Sequence, residues 1–277
     1  MSSEAAEVSL GQVAAAFLRR DFLIAASYRF ALTLQVAQIL LTATMAFFLA
    51  QFLRQQGLET VTPFARDYFS FVILGLAFFD YLGTGLDSFS RSLREGQLTG
   101  TLEMLLVTQT SLETIVLGSS LYAFLSTSMR VAVYLLAGVA LFGLPLAGAD
   151  WGATIILLLL SVAAFSSLGI LSACFILLFK KGNPFTWVLL ATSGMAGGVF
   201  YPVSALPAWL QTLAQLLPIT HCLEGVRRAL LAGAGLGELW RQVGALLLFA
   251  GLGLPLALAL FRWSVRRAKR TGTLSQY

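Results

Sequence analysis

The feature that most constrains this chain is a succession of long apolar stretches separated by short segments rich in charge, glycine or proline. A helix needs about 20 apolar residues to cross the hydrocarbon of a bilayer. In lipid, only helices and closed barrels satisfy their own backbone polar groups. Five segments have the required length, Phe30 to Leu53, Tyr68 to Phe89, Leu112 to Phe142, Ala153 to Phe179 and Leu239 to Phe261, and before the last of them comes another apolar stretch, Thr186 to Val199, the fifth in chain order, which need not cross alone. The fifth is short and breaks at Gly197, Gly198 and Pro202. Charged residues make up 11% of the 277 positions and hydrophobic ones 58%, whereas a soluble domain carries roughly a quarter charged residues. So much apolar surface cannot be hidden in one aqueous core. The sequence predicts an all-α membrane protein with six transmembrane helices, with little chain left over for a soluble domain.

The flanking segments complete the layout. Residues 1–28 form an N-terminal cytoplasmic element whose stretch 9–24 places Leu10, Val13, Ala14, Phe17 and Ile24 at helical spacing, as in a helix lying in the membrane interface. Glu4 and Glu7, with Arg19 interrupting the apolar run, argue against a cleaved signal peptide. Residues 29–262 make the transmembrane domain and 263–277 a basic tail. Between the second and third spans, residues 94–108 keep Leu98, Leu102, Leu105 and Leu106 on one face, with Arg94, Glu95 and Glu103 at its rim. Such a ridge is covered either by a partner groove or by the lipid surface. Residues 201–235 hold two short amphipathic pieces, each opened or closed by proline. With both termini inside, twelve Lys and Arg face the cytoplasm (Arg19, Arg20, Arg29, Arg91, Arg94, Lys180, Lys181 and five in the tail). Five face outward: Arg54, Arg66, Arg227, Arg228 and Arg241. The positive-inside rule therefore selects N-in, C-in, which turns the 94–108 ridge toward the cytoplasm and 201–235 outward.

Few residues offer chemistry. The net charge of +5 comes from residues flanking apolar segments, so it reads as topology and lipid contact rather than nucleic-acid binding. Cys174 and Cys222 form neither a disulfide framework nor a metal site, and no His, Cys or carboxylate cluster has ligand spacing. No catalytic residue is assigned. Ser193 and His221 lack an orienting third group, and His221 reads as a helix-start residue bonded near Glu224. Asp80 and Arg130 are the ionisable residues deepest in the spans, and there each needs protein, water or a partner. The span boundaries place them about ten ångströms apart in depth, so that a direct pair requires a long reach or a shifted span. They line a translocation pathway or tie two helices together. Phe78, Phe79 and Tyr81 join Asp80 in an aromatic-rich second span that serves either packing or cargo contact. Gly197, Gly198, Phe200, Tyr201 and Pro202 mark a broken helix at membrane depth, tolerable only where protein or a cavity covers the backbone.

Two stretches carry a family resemblance. Arg94-Glu95-Gly96-Gln97-Leu98-Thr99-Gly100-Thr101-Leu102-Glu103-Met104-Leu105-Leu106 is similar to the connection between spans two and three of the ABC type-2 transporter permeases. Gly198-Val199-Phe200-Tyr201-Pro202 through Leu217-Pro218 to Glu224-Gly225-Val226-Arg227-Arg228 resembles that family's short fifth span and its re-entrant external helices. The resemblance implies the membrane subunit of an ABC exporter in the inner (plasma) membrane. It implies a dimer, most simply of two copies, whose cytosolic ABC ATPase partners bind ATP and magnesium while this chain holds no cofactor. It makes residues 94–108 the coupling helix, with Arg94, Glu95, Leu98, Leu102, Glu103, Leu105 and Leu106 as its contacts. Gly197 to Pro202 would form an external gate. A hydrophobic or amphipathic cargo such as a drug or lipid is the leading expectation, with a lipid-linked polysaccharide as the alternative. An ion-coupled secondary transporter is the rival class, although its usual paired helix breaks occur here in the second half alone.

Overall fold

The structure, a computed structural model, describes residues 10–57, 68–98, 112–179 and 183–270. All regular structure among them is helical. Nine α-helices are α1 (Leu10–Ser27), α2 (Arg29–Gln55), α3 (Tyr68–Leu98), α4 (Leu112–Phe142), α5 (Trp151–Phe179), α6 (Pro184–Ala196), α7 (Ala208–Gln215), α8 (Pro218–Ala232) and α9 (Trp240–Arg270). A 3-10 turn at Val203–Ala205 precedes α7. Among the described residues, five helices, α2, α3, α4, α5 and α9, contain stretches long and apolar enough to cross a membrane.

α4 has the bounds expected of the third span, Leu112 to Phe142, whereas the second span runs beyond its expected end. α3 runs on past Phe89 to Leu98, because a charged segment ends a hydrophobic window without breaking a helix. α1 and α2 meet at a one-residue break, Tyr28, and α1 packs along α4 as well as lying beside α2.

Burial separates central helices from peripheral ones. In α3, 72% of the membrane-length stretch is buried within the chain, against 17% in α2 and in α9. α3 and α5 cross closely because both carry glycine at the crossing. A Cβ added at Gly169 would lie 1.8 Å from the Gly85 carbonyl oxygen, so neither position has room for a side chain. Gly253 lets α9 approach Ser167 of α5 in the same manner. α2 and α9 turn apolar faces outward, among them Leu41, Met45 and Phe48, and Leu248, Leu252 and Leu256.

Side-chain clusters fix the direction of each helix. Phe47, Phe69 and Phe142, with ring centroids 5.0–5.9 Å apart, join the end of α2, the start of α3 and the end of α4. At the opposite end, Phe89 and Leu93 pack with Cys174 and Leu177 of α5 and Phe261 of α9. The start of α2 and the end of α9 therefore lie at the same end of the bundle. α6 has only 13 residues, about 20 Å of rise, yet it bridges both levels. Asn183 caps α6 through its side-chain oxygen, which accepts from the Thr186 amide at 3.2 Å. Its amide nitrogen donates to Ser172 at 2.5 Å and to Ser90 at 3.3 Å. At its far end the Val199 carbonyl packs on Gly75, fifteen positions before Ser90 along α3, a distance of about 22 Å.

Candidate functional site

Three polar stripes meet between α2, α3 and α4. Gln35, Gln38 and Thr42 recur at i, i+3 and i+7 on α2, and Asp80, Thr84, Asp87 and Arg91 follow helical spacing on α3. α4 adds Tyr122, Ser126, Thr127, Arg130 and Tyr134 at the same period. They line an open cavity of about 680 Å³, to which Ile39, Leu76 and Phe79 give an apolar flank. Along α3 it extends from Leu76 to Arg91, about 22 Å, so it penetrates most of the depth of the bundle.

The centre of the cavity is an ion pair. Arg130 donates from Nε to Asp80 Oδ2 at 2.7 Å and from Nη2 to Asp80 Oδ1 at 3.1 Å, the two-pronged geometry that guanidinium and carboxylate share. Nη2 also donates to Thr127 Oγ1 at 2.8 Å and Thr84 Oγ1 at 3.2 Å. The two threonine hydroxyls bond each other at 2.7 Å, and the Tyr81 hydroxyl donates to Ser128 at 2.8 Å. These contacts set an antiparallel register in which Asp80 and Arg130 stand opposite each other. Each lies twelve positions from the helix end at the Phe69–Phe142 cluster, Tyr68 for one and Phe142 for the other. The ten-ångström offset is thus corrected: the pair forms directly, without any shift of a span. Asp87 and Arg91, 3.8 Å apart, make a second, more exposed pair at the other end of the cavity.

The aromatics of α3 divide between cavity and core. Phe79 lines the cavity, and its ring also faces Gly194 of α6. Phe78 and Tyr81 are 2% and 1% exposed, with ring centroids 5.8 Å apart in the buried core of the bundle. They do not reach the cavity wall.

A second polar centre was not singled out by sequence reasoning. Arg227 of α8 is buried at 6% exposure. Its guanidinium donates to the Phe71 carbonyl from Nε at 3.2 Å and Nη2 at 2.8 Å, to the Gly198 carbonyl at 2.8 Å and to the Val199 carbonyl at 3.2 Å. Its Cζ also lies 3.5 Å from the Phe71 ring centroid, a close cation–π contact. One cation thereby ties the start of α3 to the broken segment after α6. Gly198 has φ +82°, a left-handed backbone that suits glycine, and this turns its carbonyl toward Arg227. A Cβ at Gly75 would meet both the Val199 oxygen at 2.3 Å and Arg227 Nη2 at 2.8 Å. Beside this centre a smaller cavity of about 360 Å³ includes Gly197, Gly198, Pro202 and Glu224 in its lining. Phe200 is exposed, and the Tyr201 hydroxyl donates to the Met195 carbonyl. α8 is wedged among α3, α5 and α9, with Gly225 against Leu157 of α5.

Several expected site residues fall elsewhere. Arg94 is exposed on the last turns of α3. Glu95 and Leu98 belong to the same helix, while Leu102, Glu103, Leu105 and Leu106 lie outside the described residues. His221 places Nε2 2.9 Å from the Gln215 carbonyl oxygen, so its bond is to the turn before α8 and not near Glu224. Among the described residues, no group of His, Cys, Asp or Glu is arranged to hold a metal ion.

The model of the ABC-2 type transporter family matches residues 12–231. The chain belongs to that family. It is 26% identical over 178 residues to the probable multidrug ABC transporter permease YbhR of Escherichia coli (strain K12), and equally to the protein of that name from Escherichia coli O157:H7. The aligned stretch covers 64% of this chain and 48% of each relative, so the chain spans about half the length of the curated relatives it matches. Both polar centres of this ABC-2 family member lie inside the matched region. Family membership gives the chain the character of a transmembrane ABC transporter permease, and the ion-coupled alternative finds no support in it.

Proposed function

We propose that this chain is the membrane subunit of an ATP-driven exporter for an amphipathic molecule, a drug or a lipid, and that the α2–α3–α4 cavity is its cargo path. The observation that carries the reading is the ion pair at the heart of that cavity. Charged groups at membrane depth are expensive unless paired or hydrated, and they mark pathways more often than lipid-facing surfaces. The relatives' description as probable multidrug permeases agrees with an amphipathic cargo. A lipid-linked polysaccharide is the second reading, favoured by the amide and hydroxyl groups of the lining.

In this reading the chain crosses the membrane six times with both termini in the cytoplasm, α6 and the Gly197–Tyr201 segment making the short fifth crossing. Two copies form the complete pathway in the inner membrane. Separate cytosolic ABC ATPases, which bind ATP and magnesium, grip Arg94, Glu95, Leu98, Leu102, Glu103, Leu105 and Leu106. Their closure moves α3, which carries Asp80 at its middle and packs on Val199 and Arg227 at its far end. Gly197, Gly198, Phe200, Tyr201 and Pro202 form the external gate. α7 and α8 re-enter from outside.

The test is to purify the chain together with its ABC ATPase and measure ATP hydrolysis in lipid vesicles. The complex should hold together, and amphipathic drugs or lipids should stimulate hydrolysis. Leu102→Glu should abolish that stimulation by placing a charge in the coupling ridge. Copurification of no ATPase, together with no effect of Leu102→Glu, would overturn the assignment.

A further inference from the structure

The lining of the α2–α3–α4 cavity has a charge pattern that narrows what it can accept. Its ionic groups are Asp80, Asp87, Arg91 and Arg130, two acids and two bases. Each acid already faces a guanidinium, at 2.7 Å for Asp80–Arg130 and 3.8 Å for Asp87–Arg91. Arg130 further commits Nη2 to both threonine hydroxyls. A cationic head entering the cavity meets no unpaired carboxylate, and an anionic one meets no unpaired guanidinium. At the centre of the cavity either would have to break the Asp80–Arg130 pair at membrane depth, which leaves one of the partners uncompensated.

The neutral groups are arranged differently. Gln35 and Gln38 stand one turn apart on α2, and among the described residues neither side-chain amide has a hydrogen-bond partner. Each presents two donors and one acceptor oxygen to the cavity. Across from them the hydroxyls of Thr84, Thr127 and Ser126 line the facing helices. Unpartnered amides inside a membrane span are costly unless water or a ligand satisfies them. Ile39 of α2 and Leu76 and Phe79 of α3 give the cavity its apolar flank.

We infer that this cavity takes the uncharged, hydroxyl- or amide-bearing head of an amphipathic molecule, with Gln35 and Gln38 as its direct hydrogen-bonding residues and the apolar flank holding the first part of its tail. The inference rests on the proposal that this cavity is the cargo path, and it adds the chemical class of the head. The neutral ion pairs act as a filter against charged heads of either sign.

Binding measured in the absence of the ATPase tests it. The chain is placed in lipid nanodiscs and titrated calorimetrically, below the micellar concentration, with octyl β-D-glucoside, octyltrimethylammonium bromide and sodium octyl sulfate. All three share one tail, so partition into lipid is corrected with empty nanodiscs and the Leu41→Ala variant, whose changed side chain faces outward. Saturable glucoside binding should be at least about tenfold tighter than that of either ion, a difference of about 1.4 kcal/mol. Methyl β-D-glucoside, the same head without the tail, should bind at least tenfold more weakly than the octyl compound. Gln38→Leu should weaken glucoside binding about tenfold with no change in melting temperature, because its side chain is exposed and makes no contact that the fold needs. Gln35→Leu provides the same reading should the first variant fail to fold. Charged probes binding as tightly as the glucoside, or glucoside binding unchanged in both variants, would overturn the inference. Failure of the path itself would look different: the glucoside would bind and respond to Gln38→Leu, yet ATP hydrolysis by the full complex would not move it across a vesicle membrane.

Discussion

Removing the charges of Asp80 and Arg130 singly and together gives a quantitative test of the central pair. Two unit charges about 4 Å apart attract by ~4 kcal/mol at an effective dielectric constant of ~20. Asp80 is 35% and Arg130 23% exposed to the cavity, so screening reduces the coupling to about 2 kcal/mol. Asp80→Asn leaves the guanidinium with Thr84 and Thr127 alone, and Arg130→Gln leaves the carboxylate without its fork. Each single change should cost about 2–3 kcal/mol, below the 3–5 kcal/mol of a fully buried pair because the cavity is open. The double variant should be more stable than the sum of the singles implies, by about 2 kcal/mol. Reversible unfolding by sodium dodecyl sulfate in mixed micelles, followed by circular dichroism, reads all four proteins. Strict additivity would mean that the two side chains do not interact in the folded membrane protein, and the register assigned to α3 and α4 would fall with it.

Other substitutions separate packing from backbone effects. Gly169→Ala should lower the melting temperature sharply, since its Cβ would sit 1.8 Å from the Gly85 oxygen and force α3 and α5 apart, whereas Gly143→Ala, with φ +71° and open space around it, should cost only about 1 kcal/mol. An equal effect of the two would contradict the close crossing. Arg227→Met removes the guanidinium donors that reach the buried Phe71, Gly198 and Val199 carbonyls and should cost about 3 kcal/mol or more in thermal denaturation, with Arg227→Lys intermediate because an ammonium cannot reproduce the planar fork.

The sequence made the membrane spans legible where charge flanks them. Phe30 to Leu53 matches α2 to within a residue or two at each end, since Arg29 and Arg54 bracket it. Helix ends beyond the apolar layer were hidden, because hydropathy records the lipid boundary and the α3 backbone ignores it. The direct Asp80–Arg130 pair was obscured for a related reason. Depth reckoned from span boundaries takes the second span to end at Phe89, whereas α3 continues to Leu98. Counting from the shared Tyr68–Phe142 end places the two side by side. Arg227 counts among the external charges in the sequence, yet it occupies the apolar face of its helix with Leu223 and Leu230; a charge on that face was the available signal. Gln35, Gln38 and Thr42 were legible in the same sense, as polar residues recurring at helical period inside an apolar span. What no single span could reveal is that stripes on α2, α3 and α4 converge on one cavity.

A cargo path between α2, α3 and α4 has to be reachable from water inside a membrane-crossing bundle. Single cysteines at Gln38, Thr84 and Met45 test it, with native Cys174 and Cys222 buried and silent toward reagent. In sealed inside-out vesicles, a membrane-impermeant maleimide should label Gln38→Cys and Thr84→Cys rapidly and leave Met45→Cys, on the outward apolar face, unlabelled. Labelling of Met45→Cys with Gln38→Cys and Thr84→Cys protected would place the polar stripes against protein or lipid and contradict the account.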